Sequence, residues 1–225
     1  MTKGEFISAF HTFWNNINSD MAPGLTFTEV GHLATQAQEV LVRSIYNGTA
    51  GEPFESTEEA RSYLDNLVRQ CTLEKITDPN PISDNSVSYR LTDNGDDSHI
   101  MYIVYESVTF GNSASGCLKG KTVIVKPVSH DMYWHIKDNP FKGAGDDRVL
   151  RLTKSFVDNG KTYDVAEIIA SSTDIEKYLI RYVKRPDDIE FVQGQLNEPL
   201  CELHENLHRL ILNSTVSLAK SLWES

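Results

Sequence analysis

The chain has 225 residues, and its 21 Lys and Arg against 32 Asp and Glu give a formal net charge of −11. Its 40% hydrophobic and 24% charged residues are ordinary for a globular protein of a length that can bury a core, which excludes wholesale disorder. The acidic balance excludes a protein that binds nucleic acid by neutralising its phosphates, and one that docks on an anionic membrane.

Helical patterns come first along the chain. The second helix is predicted to begin at the capping box Thr26-Phe27-Thr28-Glu29 and to end at Asn47-Gly48. The box recurs as Ser56-Thr57-Glu58-Glu59, before an apolar stripe that runs to Val68. We therefore predict N-terminal helices over residues 1–70, the first of which carries an aromatic face of Phe6, Phe10, Phe13, Trp14 and Ile17.

Near Cys71 the apolar period changes from 3.6 to 2, which predicts a β-rich section over 71–196. Asn94-Gly95 and Asp158-Asn159-Gly160 are typical of hairpin turns between antiparallel strands. His130–His135 is interpreted as a strand edge packed by its aromatic residues. The predicted strands cover residues 87–91, 99–110, 121–128, 148–156, 163–170 and 175–183.

The last segment, 197–225, is predicted to be one helix that opens at Glu198-Pro199. Its apolar face would contain Leu203, Leu207, Leu210, Ile211, Ser214, Leu218 and Leu222. The predicted fold class is α+β: a single domain over 1–225, in which a helical bundle of the N-terminal helices and the C-terminal helix receives an inserted, mainly antiparallel β section.

One motif has the form of an enzyme site. His204-Glu205-Asn206-Leu207-His208 matches H-E-x-x-H, in which two imidazoles on one helical face bind zinc and the intervening carboxylate activates water. No further histidine follows at the spacing of a third ligand, and such short motifs also occur by chance. We favour a pair of histidines at the boundary of a packed helix, and we predict no catalytic residue, no metal and no cofactor.

The basic residues Lys177, Arg181, Lys184 and Arg185 form a cluster. Because residues in a strand alternate between faces, Lys177, Arg181 and Arg185 would lie opposite Tyr178, Ile180 and Tyr182. Such a face suits an acidic partner surface, although a solvated sheet face has the same pattern.

The remaining features indicate a protein of a reducing compartment without a membrane anchor. The cysteines Cys71, Cys117 and Cys201 are odd in number and scattered, so neither a disulfide framework nor a cysteine zinc site is expected. The N-terminus lacks the apolar run of a signal peptide, and no stretch approaches the roughly 20 apolar residues that span a bilayer.

Two stretches of the sequence resemble the ring proteins of crAss-like bacteriophages. The first, from Val128, has an aspartate-aromatic opening, the turn Asn139-Pro140-Phe141, and the strand Tyr-Leu-Ile-Arg-Tyr followed by Arg-Pro. The second is the helix start Cys-Glu-Leu…Leu-His-Arg that opens at Cys201. The resemblance covers about the last hundred residues, and it implies that His208-Arg209 is the recurring part of the histidine motif.

The resemblance implies a virion structural protein, similar in its element order to the portal adaptors of short-tailed phages. We expect a ring, of twelve copies by analogy, between portal and tail, which seals and extends the channel through which genomic DNA passes without specific binding. The expected partners are further copies, the portal protein and other ring or tail proteins, with assembly in the host cytoplasm and no membrane contact. The interface candidates are Lys177, Arg181, Lys184, Arg185, Leu207 and Arg209.

Two alternatives from other classes stay open at this point. One is a zinc-dependent hydrolase that uses His204, Glu205 and His208. The other is a plain binding module, whose contact would be Lys177, Arg181 and Lys184.

Overall fold

The structure is a computed structural model that describes residues 1–17, 24–49, 54, 56–92, 100–114, 116–158 and 161–224. Within these residues the α-helices are α1 (Lys3–Ile17), α2 (Phe27–Tyr46), α3 (Glu58–Leu64), α4 (His130–Ile136) and α5 (Glu205–Glu224). The strands are β1 (Val68–Thr72), β2 (Lys75–Ile76), β3 (Ser86–Arg90), β4 (Ile100–Phe110), β5 (Thr122–Pro127), β6 (Val149–Asp158), β7 (Lys161–Ile169) and β8 (Ile175–Lys184). The α+β class predicted from the sequence is confirmed.

The chain forms two compact units. The helical unit comprises residues 1–68 and 185–225, and the sheet unit comprises residues 69–184. The sheet unit is thus an insertion in the chain of the helical unit. Among the helices that the structure describes, none is both long and apolar enough to cross a membrane.

In the helical unit, α5 packs against α2 and α1. The start of α2 is fixed by the predicted capping box, in which the Thr26 side chain accepts a hydrogen bond from the Glu29 N–H and the Glu29 carboxylate accepts one from the Thr26 N–H. Its end is the predicted Asn47-Gly48, where Gly48 adopts a φ of +73°. Thr57 caps α3 through the Ala60 N–H.

The segment after the sheet unit returns along α2. The Ile189 N–H donates to Thr35 Oγ1 at 2.9 Å. A Cβ atom on Gly31 would lie 2.8 Å from the carbonyl oxygen of Ile189, closer than a side-chain carbon tolerates. Glycine at position 31 therefore allows this close approach of a strand-like backbone to the helix.

Eight strands form one curled sheet in the order β1-β8-β4-β5-β6-β7-β3-β2. The neighbouring strands β2 and β3, β3 and β7, β7 and β6, β5 and β4, and β4 and β8 pair antiparallel, and β5 and β6 pair parallel, so the mainly antiparallel section is confirmed. The two edge strands, β1 and β2, are consecutive in the chain, and only Leu73 and Glu74 separate them. This short link brings the two edges of the sheet close together.

The concave side of the sheet holds the main apolar cluster. Large buried side chains from opposite strands meet there, for example Tyr89 of β3 and Tyr178 of β8, whose rings lie edge to face with centroids 5.0 Å apart. Burial raises the pKa of Tyr89 to about 12. The cluster also contains Val87, Val108, Phe110, Val123, Val125, Val149, Ile168, Ile180 and Tyr182.

One ion pair is buried among these apolar side chains. Arg151 Nε lies 2.9 Å from Glu106 Oε2, and the Tyr178 hydroxyl donates to the same carboxylate oxygen at 2.6 Å. Burial, with the nearby Glu106 carboxylate, raises the pKa of Tyr178 well above its usual value. The hydroxyl therefore stays protonated and continues to donate.

The convex side is covered in part by α4. Tyr133 and Ile136 of α4 pack on Leu150, Leu152 and Ile169 of β6 and β7. The prediction of a strand edge at His130–His135 is therefore wrong. Ser129 caps a short helix by accepting a hydrogen bond from the Met132 N–H, and the aromatic residues lie on different sides of that helix.

The loop before β3 is fastened to the convex side by a buried carboxylate. Glu167, on β7, is fully buried and accepts hydrogen bonds from the backbone of Ile82 and Ser83 and from the Ser86 hydroxyl. Lys154 pairs with Glu167 at 2.8 Å and also with Asp78. The positive charge of Lys154 on the sheet thus compensates the negative charges of Asp78 on the loop and of Glu167 on the sheet.

Several boundaries differ from those predicted. α3 ends at Leu64, so Val68 begins a strand rather than ending a helix. α5 begins at Glu205 rather than at Glu198-Pro199, because Pro199 and Leu200 pair with the backbone of the first two residues. The predicted turns Asn94-Gly95 and Asn159-Gly160 lie outside the described residues.

Candidate functional site

The two histidines of the H-E-x-x-H motif lie in different environments. His204 precedes α5, is exposed, and its Nδ1 accepts a hydrogen bond from the Asn206 N–H. His208 is inside the helix and only 4% exposed. Its Nε2 lies 3.1 Å from the carbonyl oxygen of Leu203, and its Nδ1 lies 3.3 Å from the nitrogen of Met1. Both ring nitrogens of His208 are therefore occupied by structural contacts.

This geometry does not support the zinc hydrolase. The motif needs both imidazoles on one helical face, but the helix begins one residue after His204. Across the described residues, no group of three or more His, Cys, Asp or Glu side chains is placed to hold a metal ion. Burial lowers the pKa of His208, so this imidazole is neutral in the folded chain at neutral pH.

The predicted basic cluster divides into two parts. Lys177 and Arg181 are exposed on the convex face of β8, while Tyr178 and Ile180 point to the concave side, as the alternation predicts. Arg185 lies beyond the strand and pairs with Glu39 of α2, with Nε 2.6 Å from the carboxylate. Arg185 is thus engaged within the helical unit, and Lys184, the last residue of β8, is half-buried. Lys177 and Arg181 are the members of the predicted cluster that are exposed on the sheet.

The two candidates on α5 also differ. Leu207 is 2% exposed and packs in the interior, so it offers no surface to a neighbouring molecule. Arg209 is exposed. Leu210, Leu222 and Trp223 are exposed apolar residues of the same helix, and the sequence pattern had placed the two leucines on the buried face.

Sequence reasoning missed most of the surface around Lys177 and Arg181. In the sheet, Lys177 is paired with Thr109 of β4, and Thr109 with Thr122 of β5; the two threonine hydroxyls lie 3.0 Å apart. Arg181 is paired with Tyr105 of β4. These side chains form rows across one face of three neighbouring strands.

The middle of these rows has an apolar side chain at each of its two ends. Leu179 of β8 is paired with Ser107 of β4, which is paired with Ile124 of β5. Ile124 is 65% exposed and Tyr105 is 41% exposed. Lys126, also exposed, follows two residues after Ile124 and so shares its face. We name Tyr105, Thr109, Thr122, Ile124, Lys126, Lys177, Leu179 and Arg181 the sheet face.

A second exposed apolar feature follows α4. Phe141, in the turn Asn139-Pro140-Phe141, is 81% exposed. Its backbone is nevertheless held in place, because its N–H donates to Asn139 Oδ1 and the Arg148 guanidinium donates to the carbonyl oxygens of Phe141 and Pro140. A single exposed aromatic ring is common on folded proteins, so Phe141 does not by itself identify a contact surface.

The charge of the chain is unevenly divided between the two units. The helical unit contains 6 Lys and Arg against 16 Asp and Glu, a net charge of −10. The sheet unit contains 15 Lys and Arg against 16 Asp and Glu, a net charge of −1. The acidic excess of the chain is therefore almost entirely a property of the helical unit.

The sequence matches the phage tail ring protein 3/4 family over residues 1–223. It is 37% identical over 234 aligned residues to Ring protein 3 of Bacteroides phage crAss001, which covers 97% of this chain and 95% of the relative. It is 26% identical over 235 residues to Ring protein 4/5 of the same phage, covering 100% of this chain and 94% of that relative. The family and these relatives are structural ring proteins, not enzymes. The chain belongs to the phage tail ring protein 3/4 family, and it is a structural ring protein of a phage virion.

Proposed function

We propose that this ring protein is a connector between portal and tail, which seals and extends the channel through which the genome leaves the capsid. The two units together act as one assembling domain, and the helices of the helical unit form a bundle. Twelve copies form the ring, in keeping with the symmetry of portal adaptors. Assembly takes place in the host cytoplasm, and the product is placed at the head-to-tail interface of the virion.

The observation that carries this proposal is the separation of charge between the units. A ring subunit needs two different lateral surfaces, because each copy contacts one neighbour on one side and another on the other side. An acidic helical unit beside a nearly neutral sheet unit with an exposed basic strand supplies two such surfaces. A subunit that uses the same patch twice would need no such asymmetry.

The acidic helical unit also suits a channel for DNA. Duplex DNA carries one negative charge for about every 1.7 Å of its axis, so carboxylates that face the lumen repel it and allow it to slide. The chain then contacts the genome without binding any sequence.

The test is assembly with the portal. The purified chain, alone and mixed with the portal protein of its own phage, is examined by mass photometry and by negative-stain electron microscopy. We expect rings whose mass corresponds to twelve copies, stacked on the portal. A chain that stays monomeric and associates with no virion component would refute the connector role.

A further inference from the structure

We propose that the sheet face binds the acidic helical unit of a second copy of this chain. This inference rests on the proposed ring, and it names one of the contacts that would build it. The contact is heterologous: the sheet face of one copy meets the helical unit of the next, so that each copy uses both surfaces once.

The shape and composition of the sheet face suit a protein partner. Its three strands span about 10 Å across and about 14 Å along, so the sheet face would form one part of a larger protein interface. Tyr105, Ile124 and Leu179 supply apolar area at its middle, and two of them are large side chains left exposed by the fold. Exposed aromatic and aliphatic side chains surrounded by polar residues are characteristic of protein contact sites.

The charges on the sheet face are all of one sign. Lys126, Lys177 and Arg181 lie around the apolar centre, and within the part of the chain that the structure describes none of the three makes an ion pair. The other members of the face are neutral. Two other lysines of the sheet unit differ in this respect, since Lys121 pairs with Asp147 and Lys154 with Glu167.

Charge complementarity selects a copy of this chain as the occupant. The helical unit has a net charge of −10, so it is attracted to three uncompensated cations. Duplex DNA is the other polyanion within reach in a virion. The apolar centre of the sheet face argues against it, because protein contacts to a DNA backbone are hydrogen bonds and ion pairs.

The first experiment maps the contact by crosslinking. A 1:1 mixture of 14N- and 15N-labelled full-length chains is assembled into rings, and a carbodiimide joins lysine amines to carboxylates that touch them. We expect mixed-isotope peptides that link Lys177 or Lys126 to carboxylates of residues 1–68 or 185–225. Links from these lysines to their own copy only, or to the portal only, would overturn the assignment.

The second experiment tests the charges with a matched pair of variants. Lys177→Glu with Arg181→Glu reverses two cations of the sheet face, whereas Lys137→Glu with Lys142→Glu reverses two exposed cations in the segment that follows α4. Both double variants change the net charge by the same amount. We expect the first to raise the concentration needed for ring assembly by at least about tenfold, and the second to shift it by less than about twofold. Thermal unfolding by circular dichroism verifies that both variants are folded.

The outcomes separate the contact from the proposed function. Rings that form equally well in both double variants overturn the sheet face as the contact and leave the ring intact. A wild-type chain that forms no ring at any concentration, with or without the portal, overturns both. Loss of DNA binding as the only effect of the sheet-face variant assigns the surface to the genome and overturns the self-contact.

Discussion

The Tyr178 hydroxyl donates a 2.6 Å hydrogen bond to the carboxylate of Glu106 inside the curled sheet, where Glu106 also pairs with Arg151. We expect Tyr178→Phe to lower the free energy of unfolding by about 1.5–3 kcal/mol, because a hydrogen bond to a charged group is lost. Glu106→Gln should cost about 3–5 kcal/mol, because it leaves the Arg151 guanidinium buried without its counter-charge. Urea unfolding of both variants measures these differences.

The two changes should not add. With Gln at position 106, Tyr178→Phe removes a weaker bond and costs less than in the wild type, so the double variant reveals a coupling energy. Tyr105→Phe, one strand residue away on the exposed face, is the matched control and should change stability by less than about 0.5 kcal/mol. Full additivity of the two buried changes would contradict the shared network.

The Asp78–Lys154–Glu167 cluster predicts a specific pH dependence. Desolvation raises the pKa of Asp78, but its hydrogen bonds with Lys154, Asn80 and Ser88 outweigh this, so the pKa lies below its ordinary 3.8. Desolvation lowers the pKa of Lys154, and its bonds with Asp78 and Glu167 outweigh this, so the pKa lies above its ordinary 10.5.

The signs follow from proton linkage. The contribution of Asp78 to the free energy of unfolding is complete above its unfolded pKa near 3.8. It is lost as the pH falls through the lower pKa that Asp78 has in the folded state. The contribution of Lys154 is present below the unfolded pKa near 10.5 and is lost as the pH rises through the higher folded value. The stability difference between wild type and Lys154→Met should therefore be constant from about pH 5 to pH 9 and shrink outside that range. Guanidinium unfolding across pH measures it, and a difference that varies near neutrality would contradict this account.

His208 should matter for stability and not for metal binding. Burial lowers the pKa of His208 below the ordinary 6.5. The stability that depends on neutral His208 is therefore complete above pH 6.5 and is lost as the pH falls from there through the lower pKa of the folded state. We expect His208→Gln to flatten the stability profile below about pH 6.5. His204→Gln, at the exposed position, is the control and should change the profile less than His208→Gln, because His204 is the smallest of the causes that lower the pKa of His208.

The same pair of variants tests the discarded enzyme hypothesis. Elemental analysis of the chain purified without chelators should give far less than one zinc per copy. Stoichiometric zinc that disappears in His208→Gln would restore the hydrolase.

Adding a single methyl group at position 31 of α2 should lower the stability of the folded chain. In Gly31→Ala the new Cβ would lie 2.8 Å from the carbonyl oxygen of Ile189, which forces the backbone of that segment away from α2. Overpacking of this kind costs about 1–3 kcal/mol, against a gain of about 1 kcal/mol in helix propensity, so we expect a net loss of up to about 2 kcal/mol. His32→Ala, at the next and exposed position of α2, should be neutral or slightly stabilising. Equal melting temperatures of Gly31→Ala and His32→Ala would show that the segment around Ile189 can move away from α2 without a loss of stability.

Local signals in the sequence were sufficient for much of the fold. The capping box at Thr26 and Glu29 and the change of apolar period near Cys71 depend on neighbouring residues alone, and both gave correct elements. At α4 the local signal failed, because the aromatic residues Tyr133 and Trp134 favour a strand while the Ser129 cap and packing on β6 and β7 favour a helix.

The candidate site was less predictable, because it depends on distant pairings. Lys177 and Arg181 were found from the alternation of one strand, but Tyr105 and Ile124 join them only through the register of β4 with β8 and β5. On α5, the polarity of a residue did not predict its burial. The polar His208 and Thr215 are buried because each forms a hydrogen bond with a backbone carbonyl, whereas the apolar Leu210 is exposed.

The two edge strands of the sheet, β1 and β2, follow each other in the chain and limit how copies of the protein can associate. Both margins of the sheet are short, five and two residues, so a foreign polypeptide finds little backbone on which to extend it. Fibre growth by strand addition is thereby disfavoured. Copies of the chain are left with side-chain recognition as their means of association, which can saturate at a fixed number of subunits.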